Sequence, residues 1–116
     1  MPKPNGVAEL LATERADTVQ RLAELEREFA AILESSGSAG LDDEHDPEGA
    51  TIAFEREHAA ALLNQVRQHL TAIDAAMRRL AEGSYGNCAT CGQPIGAARL
   101  TARPVATTCI NCAARR

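Results

Sequence analysis

Tryptophan is absent from this 116-residue chain, and Phe29, Phe54 and Tyr85 are its only aromatic residues. So few large rings exclude a thick, ring-filled core. No run of 18 apolar residues occurs, which argues against a membrane-spanning helix. The opening Met1-Pro2-Lys3-Pro4-Asn5-Gly6 has no apolar stretch, so no signal peptide is expected. Cysteine is missing from the first 87 residues, and acid is missing from Gly83 to Arg116. The formal charge of −4 disfavours a general nucleic-acid binder, because neutralising phosphates requires a basic surface.

What is present is concentrated in two places. Alanine is abundant and suits long, thinly packed helices. Near the C-terminus lie Cys88-Ala89-Thr90-Cys91 and Cys109-Ile110-Asn111-Cys112, two C-x-x-C pairs separated by 17 residues. That spacing is a four-thiolate zinc pattern. A two-residue spacer lets one tight turn aim two thiolates at one metal, and zinc accepts four such ligands as a tetrahedron. Gly92 follows directly, where such a turn needs a positive φ. Cys88, Cys91, Cys109 and Cys112 are therefore expected to hold one Zn²⁺. Four thiolates leave no open position for water or substrate, so the metal reads as structural and the protein as not an enzyme. Two disulfides are the alternative. The missing export signal implies a reducing, cytoplasmic setting that favours metal. A redox role for one pair is disfavoured, since no βαβ pattern surrounds either.

The chain upstream is helical by periodicity. Leu11, Arg15, Thr18, Leu22, Leu25, Phe29 and Ile32 follow at three- and four-residue steps, a heptad seam with a weak first half. Asn5 is expected to cap this helix and Ser35 to end it, before a Ser- and Gly-rich break. A second seam is wholly apolar: Ala59, Leu63, Val66, Leu70, Ile73, Met77 and Leu80. Asp46-Pro47-Glu48 is its start signal and Gly83 its stop. Each helix would have about 30 residues and a length of about 45 Å. Neither seam can be buried alone, so the two predict an antiparallel hairpin, with a homodimeric coiled coil as the alternative.

The fold class is thus mainly α. A helical hairpin over residues 1–82, with a connection at 41–50, precedes a small zinc module at 83–116. That connection holds Asp42, Asp43, Glu44, Asp46 and Glu48 and no Lys or Arg. It reads either as a solvated loop or as an acid cluster presented to a basic or metal-containing cavity of a partner. His45 lies within it, while His58 and His69 fall off the seam as surface residues. In the module, Pro94-Ile95-Gly96 should turn the chain and residues 97–101 should form a short helix. An extended piece should start at Val105. Ile95, Leu100, Val105 and Ile110 are its expected core, too small to fold without metal. Arg99, Arg103, Arg115 and Arg116 are its only charges. Four thiolates on Zn²⁺ add about −2, leaving the module near +2.

The run Glu82-Gly83-Ser84-Tyr85-Gly86-Asn87-Cys88-Ala89-Thr90-Cys91-Gly92-Gln93-Pro94-Ile95 resembles the DksA/TraR four-cysteine zinc-finger family. So do Ala98-Arg99-Leu100-Thr101-Ala102-Arg103-Pro104 and the second cysteine pair. The resemblance implies a transcription regulator that binds RNA polymerase rather than DNA, and the chain is expected to be a cytoplasmic monomer. It implies that the hairpin enters the secondary channel and that acidic tip residues modulate initiation, often with the alarmone ppGpp. The family tip reads Asp-x-x-Asp-x-Ala. Asp43 and Asp46 have that spacing, with Glu48 where Ala would stand. Counting back from Cys88 instead puts Ala50 at the Ala, Glu48 at the second acid and His45 at the first. Arg103 matches a basic position linked to ppGpp, whereas Ala72 and Ala113 replace lysines of responsive members, implying a weak or absent response. Other readings are Gre-like transcript cleavage using tip carboxylates, a zinc-ribbon nucleic-acid binder, and a scaffold.

Overall fold

The computed structural model describes residues 4–38 and 47–115. Four helices follow in order: α1 (Pro4–Ser38), α2 (Pro47–Glu82), α3 (Ala97–Ala102) and α4 (Ile110–Ala114). Among the described residues there is no strand, only an isolated antiparallel bridge between Asn87 and Pro94. No described helix is long and apolar enough to cross a membrane.

The helices run longer than their seams predict. α1 has 35 residues, starts one residue before Asn5 and continues past Ser35. Asn5 therefore lies inside the helix rather than capping it, and Gly37 is absorbed into the last turn, at the modest cost a helical glycine carries. α2 has 36 residues and begins at Pro47, whose fixed φ and missing N–H suit the first helical position. Its end is a Schellman turn. The Gly83 N–H donates to the Leu80 carbonyl at 3.3 Å, and the Ser84 N–H to the Arg79 carbonyl at 2.9 Å. Gly83 adopts φ 84°. A Cβ there would meet nothing within 4 Å, so the backbone conformation, not space, selects glycine.

The chain divides into two compact units, residues 1–16 with 70–116 and residues 17–69. In the second unit the latter part of α1 packs against the first part of α2, an antiparallel pairing. Thr18, Leu25, Ala59 and Leu63 are buried, and Leu22, Phe29, Ile32 and Val66 are half-buried. Arg67 Nη2 reaches Glu26 Oε2 across the pair at 3.3 Å. His58 is exposed and His69 half-buried.

In the first unit the start of α1 lies along the end of α2, again antiparallel. Val7, Leu11 and Ala76 form a buried cluster, with Met77, Leu80, Tyr85 and Val105 packed against it. Leu11 and Ile73 are fully buried; removing a leucine side chain from water contributes about 1.5–3 kcal/mol. Arg15, a polar position in the first seam, stays exposed and donates from Nε to Asp74 Oδ1 at 2.7 Å. The weak half of the α1 seam is thus completed by Val7, one step before Leu11, and by an ion pair.

Candidate metal centre

The same unit contains both cysteine pairs, each built by a different local device. Around the first, the Cys88 N–H donates to the Gln93 carbonyl at 2.8 Å, and the Gly92 N–H returns to the Cys88 carbonyl at 2.9 Å. Gly92 has φ 78°, as its position after Cys91 predicts. The Ile95 N–H bonds the Gly86 carbonyl at 2.8 Å, closing a small knuckle over residues 86–95. The second pair uses a helix end. Cys109 is the N-cap of α4, in extended conformation at φ −70° and ψ 166°. Its Sγ accepts the Cys112 N–H at 3.5 Å. One bond ties the pairs together: the Ala89 N–H donates to the Thr107 carbonyl at 2.8 Å.

All four Sγ atoms lie within 4.8 Å of one another. A zinc tetrahedron with Zn–S near 2.3 Å has S–S edges of about 3.8 Å; Cys91 Sγ and Cys109 Sγ are 3.8 Å apart. The donor set is therefore close to a zinc tetrahedron, which small movements of the sulfurs would complete. Cys88 and Cys109 are buried, Cys112 is intermediate and Cys91 exposed. Backbone N–H groups, first of Cys109 and then of Cys91, hold the Cys88 thiol down to about 6. The Cys112 N–H likewise lowers Cys109. Cys112 is pushed up to about 12, chiefly by the side chains of Cys109 and Cys91. Cys88 is thus poised as a thiolate and Cys109 is shifted in the same direction, while a further negative charge at Cys112 is resisted by its neighbours. A divalent cation at their centre reverses that resistance.

The module's apolar support is small. Cys88, Ile95, Leu100, Ala106 and Cys109 form its buried cluster, with Tyr85 and Cys112 against it. Two expected core residues are placed differently. Ile110 is 63% exposed: Cys109 faces the metal position, and one helical step of about 100° turns its neighbour to solvent. Val105 packs on the Val7–Leu11 cluster instead, leaving Ala106 to fill the module. Nor does Val105 begin an extended piece. Residues 104 and 105 form a turn, and the Ala106 N–H bonds the Arg103 carbonyl at 3.0 Å. Tyr85 touches both clusters, and its hydroxyl donates to the Pro104 carbonyl at 2.8 Å.

Arg99, Arg103, Thr107, Thr108, Cys112 and Ala113 contribute to the lining of a cleft of about 380 Å³. Arg103 is exposed there, and Arg99 is half-buried. Of the expected tip residues, Asp42, Asp43 and Asp46 lie outside the described residues, as does His45. Glu48 falls in the first turn of α2, and Ala50 is exposed.

A closed four-cysteine site joined to a long helical pair defines a structural C4-type zinc finger on a helical hairpin. Residues 83–116 match the family model described as the prokaryotic dksA/traR C4-type zinc finger, and that module belongs to the DksA/TraR family. The fold of DksA2 from Pseudomonas aeruginosa matches with a TM-score of 0.79 and 29% identity, covering 97% of this chain and 81% of that one. The RNA polymerase-binding transcription factor DksA of Caulobacter vibrioides is 46% identical over 59 residues, which span 49% of this chain and 42% of that protein. The uncharacterized protein YteA of Bacillus subtilis is 37% identical over 75 residues, or 65% of this chain and 31% of that protein. The chain thus aligns with less than half the length of these sequence relatives.

Proposed function

We propose that this protein is a transcription regulator that binds RNA polymerase directly, without catalysis of its own. The observation that carries this reading is the dksA/traR-type zinc finger joined to a helical pair with the DksA2 fold. A relative sharing 46% identity over 59 residues is named an RNA polymerase-binding transcription factor.

In this reading the hairpin of residues 1–82 enters the secondary channel of the polymerase in the cytoplasm, led by the connection at 41–50, and modulates initiation. Asp42, Asp43, Asp46, Glu48 and Ala50 are the proposed tip contacts. The module at 83–116 is the zinc-locked base, and one monomer serves one polymerase. Arg103, exposed at the cleft beside Arg99, is the proposed ppGpp contact. Ala113 lines the same cleft and adds no charge, which supports a weak or absent alarmone response.

The test is co-purification with core RNA polymerase, followed by promoter-directed transcription, using the unaltered chain and the pair Asp43→Asn, Asp46→Asn. Both proteins should bind, and only the unaltered one should change transcript yield. Failure of the unaltered chain to bind polymerase would remove the reading.

A further inference from the structure

We infer that Arg99 is a positioning residue for the metal, holding the peptide that leads into Cys109 so that its thiolate points at the shared centre. Arg99 Nε donates to the Thr108 carbonyl at 2.9 Å in a partly buried bond. That carbonyl belongs to the peptide plane preceding Cys109, so fixing it fixes the direction from which the Cys109 side chain leaves the backbone.

The neighbouring residue is held from the other side, because the Thr107 carbonyl accepts the Ala89 N–H of the first knuckle at 2.8 Å. Residues 107 and 108 are therefore clamped between the first cysteine pair and α3. α3 is a firm support for that clamp. The Leu100 N–H bonds the Gly96 carbonyl at 3.1 Å and the Arg103 N–H bonds the Arg99 carbonyl at 2.7 Å. Leu100 itself is buried against Cys88 and Ile95. With only two large aliphatic side chains in the module's buried cluster, apolar packing alone does little to hold the second pair in place. A guanidinium suits the task, since its planar fork keeps a donor in fixed geometry where a lysine ammonium would wander. Its charge also lies in the cleft that Cys112 lines, beside a site whose four thiolates exceed the charge of Zn²⁺. Partners that orient metal ligands in this way typically alter metal affinity by about 10–100-fold when removed.

The inference rests on the zinc assignment, so metal content of the full-length unaltered protein is measured first. One zinc per chain upholds that assignment independently of Arg99. Zinc release to a chromogenic chelator and the ligand-field spectrum of the cobalt-substituted protein are then compared for Arg99→Ala, Arg99→Lys and Arg103→Ala. Arg99→Ala should release zinc about 10–100-fold faster and shift the cobalt bands, with Arg99→Lys intermediate. Arg103→Ala removes equal charge from the same cleft without the Thr108 bond, and should match the unaltered protein. Unchanged release and spectrum in Arg99→Ala would overturn the inference. So would equal acceleration by Arg103→Ala, which would reduce the effect to charge. Should Arg99→Ala fail to fold, Arg99→Lys decides: zinc retention and cobalt bands identical to the unaltered protein would reject a positioning role.

Discussion

Where α1 begins and α2 ends, Leu11, Ile73 and Ala76 are wholly inaccessible to solvent; in the unit of residues 17–69, no described side chain reaches that degree of burial. Exposed apolar side chains do not separate the units, since Leu10 and Ile110 are in the open in the first and Leu33 and Phe54 in the second; the depth of burial does. The two stretches have the same heptad logic and similar composition, so the helices themselves do not explain the contrast. The first unit has a third body to pack against, because Tyr85 and Val105 cover the Val7–Leu11 cluster. Two helices alone can hide a narrow stripe, while a third element converts that stripe into a core. A metal-closed module of about thirty residues therefore does more than bind zinc; it supplies the missing wall for the weaker half of the α1 seam.

Breaking that wall should give the largest effect. Chelation of zinc, or Cys109→Ser, should abolish the structure of residues 84–115 and expose Val7 and Leu11, while amides around Leu25 and Leu63 stay protected. Residue-resolved hydrogen exchange reads both units at once, and equal loss of protection in the two would break the comparison. Acid should act in the same direction. The Cys88 thiol is held at about 6, below its ordinary value near 9. Without metal its thiolate thus contributes stability above pH 9, and that contribution fades as pH falls through about 6; bound zinc competes with the same protons. The raised Cys112 has the opposite sign without metal: its neutral form is favoured below 9, and that preference is lost as pH climbs towards 12. Zinc release followed by dye on acidification should therefore coincide with loss of the first unit's protection, not the second's.

A smaller effect sharpens the contrast within α1. Leu11→Ala, at a fully buried site, should cost about 2–5 kcal/mol in urea denaturation. Leu33→Ala, at a 44% exposed site, should stay within about 0.5 kcal/mol. Smallest is Tyr85→Phe, which keeps the ring in both clusters and removes only the bond to the Pro104 carbonyl. A loss of about 1 kcal/mol is expected, with the shift confined to the first unit. An unchanged midpoint would show that the ring, not the hydroxyl, joins module to helices.

Much of this architecture was legible in residue spacing. The α2 seam, Pro47 as its first residue and Gly83 as its stop follow from helical period and backbone conformation, and the structure bears each out. The four ligands follow from C-x-x-C spacing, and Gly92 from its place after Cys91. The misplacements share a cause. Asn5 as a cap rests on local side-chain chemistry and an end near Ser35 on a Ser- and Gly-rich stretch, and such local signals do not fix the terminal residue of a helix. Ile110 opens a five-residue helix and Val105 sits in a turn, both too short for periodicity to say which way a side chain faces.

Sequence alone determined which residues pair as seams and which four sulfurs converge as a candidate metal site, because both depend on short separations along the chain and on the intrinsic chemistry of thiolates and leucines. Only the tertiary structure decided that Val105 turns to the helices, that Ala106 fills the module and that Arg99 grips the Thr108 carbonyl. It also paired Arg15 with Asp74, 59 positions apart. Such contacts exist only after the backbone has been brought back on itself, and the loops that do so carry no repeating pattern from which their path can be read.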